Sequence, residues 1–250
     1  MQFMDTRPST WKELQDFVAM LLNQAGYSAT SPCTIDTVRG KVEVDVLVES
    51  PDPLVKKIIC ECKFWSSPVT KEKVHAFRTV VNDSGASIGL LISQNGFQSG
   101  AIEAAKLSNV KLVSWSDFLD LIEDKWVIEK LKRIKKKSNP VVEYVNPMHF
   151  PFEKLKESDK RRYIDASKKY TPLKNTCWLL SRSDLKNDSV ILEECYSITK
   201  FSSIVKYLNF LESEIDCAVS LFENITASSG IVIPDERFEK FDGYTFANLY

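Results

Sequence analysis

Residues 40–65 read GKVEVDVLVESPDPLVKKIICECKFW, and the reading of this stretch decides the fold. Val42, Val44, Val46 and Val48 alternate with Glu43, Asp45, Leu47 and Glu49, the period-two signature of a half-buried strand. Asp45 therefore leaves the valine face. In the following KKIICECKFW, Glu61 and Lys63 share one face of a second strand, and Cys60, Cys62 and Phe64 take the other. The intervening PDPLVKK holds two prolines and Asp52, which suit a turn or short loop. Paired as a hairpin, the two strands bring Asp45, Glu61 and Lys63 together.

That trio has a chemical use. Two carboxylates and the backbone carbonyl of Cys62 are hard oxygen ligands suited to Mg²⁺ or Mn²⁺, ions bound through few protein groups and several waters. A lysine beside such an ion orients an attacking water or counters charge on a phosphate. The same residues also read as an exposed Glu–Lys pair and a solvated aspartate, since charged side chains are mostly exposed. Spacing alone leaves both readings open.

The flanking sequence gives an α/β plan. A helix over Thr10–Ala25 spaces Trp11, Leu14, Val18, Leu21 and Leu22 three or four apart, with Thr10 or Ser9 as cap and Gly26 as stop. A first strand follows near Tyr27–Ile35. After the two acidic strands, a helix from about Thr70 carries Val74, Phe77, Val80 and Val81. The run SIGLLIS, 87–93, is short and apolar enough for a central strand buried on both faces. A helix near Phe97–Leu107, the strand VKLV and a helix from Ser116 complete the unit. This alternation predicts a mixed sheet flanked by helices.

Several of these segments, in this order, resemble the Mrr-type restriction endonuclease domain of the PD-(D/E)xK nuclease superfamily over residues 10 to 122. The resemblance is carried by TWKELQDFVAMLLNQAGY, RGKVEVDVLVE, IICECKFWSSPVTKEKVHAFRTVV, GASIGLLISQNGFQSGAIEAAK and VKLVSWSDFLDLI. It implies a restriction-endonuclease-like fold in which Asp45 and Glu61 bind Mg²⁺ or Mn²⁺ and Lys63 serves catalysis on DNA. It also implies a role in restriction or antiviral defence. The acid this family usually places in its first helix aligns with Gln15, flanked by Glu13 and Asp16, so Glu13 is a further acidic candidate.

Composition points to a water-soluble chain in the cytoplasm. No run approaches the eighteen or so apolar residues of a membrane span, and the N-terminus lacks a signal-peptide core. The six cysteines show no CxxC spacing, and the two histidines, His75 and His149, lie far apart. Free thiols are expected and a zinc site is not.

The basic run KLKRIKKKSNP ends a helix and then turns to Ser138, Asn139 and Pro140, which read as a linker. The resulting division is a nuclease domain over 1–139 and a mainly helical α+β domain over 140–250. Lys132, Arg133, Lys135, Lys136 and Lys137 are candidates for DNA contact, or simply complement the helix dipole. In the C-terminal part, Lys154–Tyr170 reads as a helix, TCWLLS and SVILEECY as short strands, and the tail from Ile231 as an extended segment. Residues 199–226 carry an apolar stripe at helical spacing, from Phe201 and Val205 to Phe222 and Ile225, which serves core packing or a dimer seam. The function these readings support is a metal-dependent DNA endonuclease, with residues 140–250 selecting the target, sensing a trigger, docking a protein partner or assembling a dimer or larger complex. The alternatives are a DNA-binding module that does not cut, and a protein-interaction component of a defence complex.

Overall fold

A computed structural model of the chain describes residues 2–50, 55–181, 184–185 and 195–233. Two compact units emerge, Thr6–Glu129 and Met1–Asp5 with Lys130–Tyr250.

The first unit begins with α1 (Trp11–Gln24), capped by Thr10, whose hydroxyl accepts the Glu13 N–H at 3.1 Å. It ends at Gly26, whose φ of +83° a residue with a side chain adopts only under strain. Leu14, Val18, Leu21 and Leu22 are buried as predicted, but Trp11 is 49% exposed. The reason is positional: a helical side chain leans over the turn preceding it, and the first residue of a helix has none.

The main sheet has the order β1 (Ser28–Thr30), β4 (Val46–Glu49), β5 (Lys57–Lys63), β6 (Ile88–Ser93), β7 (Val110–Ser114). β1, β4 and β5 pair antiparallel, whereas β5, β6 and β7 run parallel, so the sheet is mixed. β2 (Cys33–Thr37) and β3 (Gly40–Val44) form a separate two-stranded ladder. Two expected strands are thus each divided. The segment near Tyr27–Ile35 splits at Ser31–Pro32, where proline has no N–H for a ladder. The segment 40–50 splits at Asp45, with β3 on one sheet and β4 on the other.

α1 packs on β1, β4 and β5. Against β6 and β7 lie α2 (Lys71–Asp83) and α3 (Ser99–Ala105), which bury Val74, Phe77, Val81, Ala101 and Ala104 with Ile59 and Leu91. The approach of α2 is close at Gly89, where an added Cβ would lie 2.5 Å from Val81 Cγ2 and 2.9 Å from Phe77 Cε1.

α4 (Trp115–Lys137) contains the division between the units, and α5 (Asn139–Val145), α6 (Glu157–Leu179) and α7 (Ile204–Ala227) follow in the second unit. The expected linker at 138–140 is a helix junction instead. Ser138 is fully buried and Asn139 nearly so, while Pro140 occupies the first turn of α5, where a missing N–H removes no helical bond. TCWLLS is also not a strand: α6 continues through Pro172 to Leu179, because Leu173, Thr176 and Cys177 keep its buried face in phase with Tyr170. Most of SVILEECY, and the tail beyond Ile233, lie outside the described residues. The apolar stripe of α7 faces its own unit. It packs on α5 and α6, with Phe222 stacked 5.0 Å from Tyr144 and edge-on to Tyr163 at 5.9 Å.

Candidate active site

The break between β3 and β4 creates the site. The β4–β5 ladder stops at Val46↔Cys60, and the next free amide along β5, that of Cys62, donates to Asp45 Oδ2 at 2.6 Å. A side chain has replaced a strand at that point. A residue in an extended strand presents its N–H and C=O toward the same neighbour, so the Cys62 carbonyl opens on the edge where Asp45 stands. The second Asp45 oxygen, Oδ1, accepts from Gln15 Nε2 at 3.1 Å.

Glu61 and Lys63 emerge from β5 on one face and form an ion pair, both side chains being partly buried. Their neighbours in sequence, Cys60 and Cys62, are fully buried on the other face. Parallel pairing with β6 sets Glu61 beside Leu91 and Lys63 beside Ser93, which fixes this end of β5 against β6.

Electrostatics tie the three groups together. Burial, the largest influence, raises the Asp45 carboxyl above the ordinary aspartate range. The Cys62 N–H opposes that rise, the negative charge of Glu61 adds to it, and Lys63 and Gln15 oppose it. Asp45 therefore lies within electrostatic reach of Glu61 and Lys63.

Among the described residues, no three His, Cys, Asp or Glu side chains gather as a metal cluster. What is present is two mutually repelling carboxylates and one strand-edge carbonyl. That donor set suits a hard cation of the magnesium class, which keeps several waters as ligands and whose charge offsets the repulsion.

Gln15 is the residue that sequence reasoning passed over as a contributor. It is 2% exposed and holds Asp45, whereas Glu13 is exposed and accepts from Ser9 N at 2.8 Å and Ser9 Oγ at 2.6 Å. A signal was available: Gln15 lies four residues after Trp11 and three before Val18, a polar residue within the apolar stripe.

The basic cluster lies at the end of α4. Lys137 Nζ pairs with Asp216 Oδ2 at 2.7 Å, and Lys135 Nζ sits 4.8 Å from the centre of the Trp178 ring, its pKa lowered by burial. Lys132, Arg133 and Lys136 are exposed.

No described helix is long and apolar enough to cross a membrane. Comparison with known proteins yields one family: the model of the Mrr-type catalytic domain, described as restriction endonuclease, matches residues 6–122. No curated protein matches the chain. A crystal structure of a protein of unknown function, AF1548, aligns over 64% of this chain and 97% of its own at 19% identity, with a TM-score of 0.39, a likeness too weak to carry an argument. The sheet and its flanking helices agree with the match of residues 6–122 to the restriction endonuclease domain of the Mrr type.

Proposed function

We propose that this protein is a divalent-metal-dependent endonuclease that hydrolyses phosphodiester bonds in DNA, and that it serves restriction or defence against foreign DNA. The observation that supports the reading above others is the Asp45 carboxylate held by the Cys62 amide at the mouth of a strand break, within electrostatic reach of Glu61 and Lys63.

In this reading Asp45, Glu61 and the Cys62 carbonyl hold a Mg²⁺ or Mn²⁺ ion. When bound, the ion supplies Lewis acidity toward the phosphoryl oxygens and the attacking water. Asp45 is oriented in advance by two donors, so little reorganisation is needed to present its oxygens. Lys63, steered by Glu61 on the same face of β5, donates a hydrogen bond to a phosphate oxygen as negative charge grows there. The buried face beneath, lined by Cys60, Cys62 and Ile92, lowers the local dielectric and strengthens these interactions.

DNA is the partner, and the exposed Lys132, Arg133 and Lys136 are assigned to its phosphates. The six free cysteines accord with a reducing cytoplasmic setting. The test is cleavage of plasmid and linear DNA with magnesium, manganese or EDTA. Wild type should nick or cut only with the cation, and Asp45→Ala and Lys63→Ala should lose cutting while still retarding DNA in a gel. Full activity in either variant would remove the assignment.

A further inference from the structure

Trp65 is the large aromatic side chain that the proposed chemistry does not use, and its position gives it a task. β5 ends at Lys63, but the chain stays out of helix or turn for two more residues, so Glu61, Lys63 and Trp65 continue the same period-two face. The geometry bears this out, with Lys63 Nζ 5.3 Å from the centre of the Trp65 ring. Lys73, from the first turn of α2, brings a second ammonium to 5.9 Å from the same ring. Trp65 is nevertheless 37% exposed. An indole with two ammonium groups over its ring, and a third of its surface in water, is one part apolar plate and one part anion attractor.

The backbone that carries the plate is held in place. Asn95 Nδ2 donates to the Ser66 carbonyl, and Val69 is bridged to the 96–98 segment by Val69 N–H to Gly96 O and Gln98 N–H to Val69 O, each 3.0 Å. The loop carrying Trp65 is thus fastened at both ends to the turn that follows β6. A loop fastened in this way loses little conformational freedom when it takes up a ligand.

We propose that Trp65 is a base-stacking platform: it takes the face of an unstacked DNA base in the nucleotide next to the scissile phosphate, while Lys63 and Lys73 meet the adjoining phosphates. The chemistry of the patch selects this occupant. A flat apolar face suits a nucleobase, and the flanking ammonium groups suit the charge that nucleobases carry on their backbone. An intact duplex offers no base face at mid-helix, so the platform calls for a single strand, a frayed end or a base displaced from its stack. The inference rests on the nuclease reading for its location beside the cut, but stacking itself is measurable without cleavage.

The experiment uses the full chain in EDTA with a fluorescein-labelled single-stranded oligonucleotide and the matching duplex, followed by anisotropy. Trp65→Ala should weaken single-strand binding about tenfold, within the range that loss of one base–aromatic stack produces, while Trp65→Phe keeps most of it. Replacing one base at a time by an abasic site should reveal a position where wild type loses affinity and Trp65→Ala loses nothing further. If Trp65→Ala binds as tightly as wild type, or remains as sensitive as wild type to every abasic site, the platform is refuted. Cleavage by wild type with magnesium is scored separately. Stacking without any cleavage would sink the nuclease reading and leave the platform, whereas cleavage with unaltered Trp65→Ala binding would do the reverse.

Discussion

Gln15→Glu restores an acid to the first-helix position where restriction endonucleases of this type usually carry one, and its consequences follow from one distance. The Gln15 amide stands 3.1 Å from Asp45 Oδ1, so two ionised carboxylates at that separation would repel by about 5 kcal/mol at an effective dielectric constant of about 20. Proton uptake sets a ceiling on this penalty. Keeping a glutamic acid of ordinary pKa, about 4.3, protonated at pH 7 costs about 3.7 kcal/mol. In the absence of a divalent cation the variant should therefore lose about 3–4 kcal/mol of stability at pH 7. The sign of the pH dependence is fixed: the folded pair keeps a proton that the unfolded chain has released, so the penalty is absent below about pH 4 and grows toward neutrality. Added magnesium should return most of the loss, because a cation between the carboxylates replaces the shared proton, and the stabilisation it gives should exceed that in wild type. Urea denaturation of both proteins at acid and neutral pH, with EDTA or magnesium, measures each quantity. Equal stability of the two proteins at pH 7 in EDTA, or equal stabilisation by magnesium, would refute the geometry argued for Asp45 and its neighbours.

Other consequences can be tested in parallel. Gly89→Ala pushes a methyl against Val81 and Phe77 under α2, and should lower stability by about 1–3 kcal/mol, seen as a reduced urea midpoint with an unchanged slope. Burial pushes the Cys60 and Cys177 thiols up to about 12 and raises Cys62 as well, so alkylation of the native protein at neutral pH should label exposed Cys217 first and reach those three only after denaturation. Rapid native labelling of Cys60 would contradict the packing beneath the site. Lys132→Ala, Arg133→Ala and Lys136→Ala should each weaken DNA binding for all sequences alike and flatten its logarithmic salt slope by about 1. An unchanged slope in all three would return the cluster to a purely structural role.

The division between what was legible in the sequence and what was not follows the range of the interactions involved. Period-two and period-3.6 patterns reflect burial along one element, and they placed α1, α2, β5, β6 and β7, the order of the first unit, and Glu61 and Lys63 on a shared face. Local patterns failed where a distant group decided the outcome. The alternating valines of 40–50 fit one strand, and the split at Asp45 arises from a carboxylate that captures the Cys62 amide seventeen positions away. The apolar TCWLLS reads as a strand, but a buried face shared with α7 carries α6 through Pro172 to Leu179. The linker at Ser138 is a buried corner for the same reason, because solvent exposure is a property of the packed unit and not of polar residues in a row. Sequence by itself thus determined the helix-flanked sheet and the shared face of Glu61 and Lys63, since these follow from apolar periodicity and alternation. Only the tertiary structure decided that Gln15 joins Asp45 and that the α7 stripe is covered within its own unit, because each depends on a contact between residues the chain brings together only on folding.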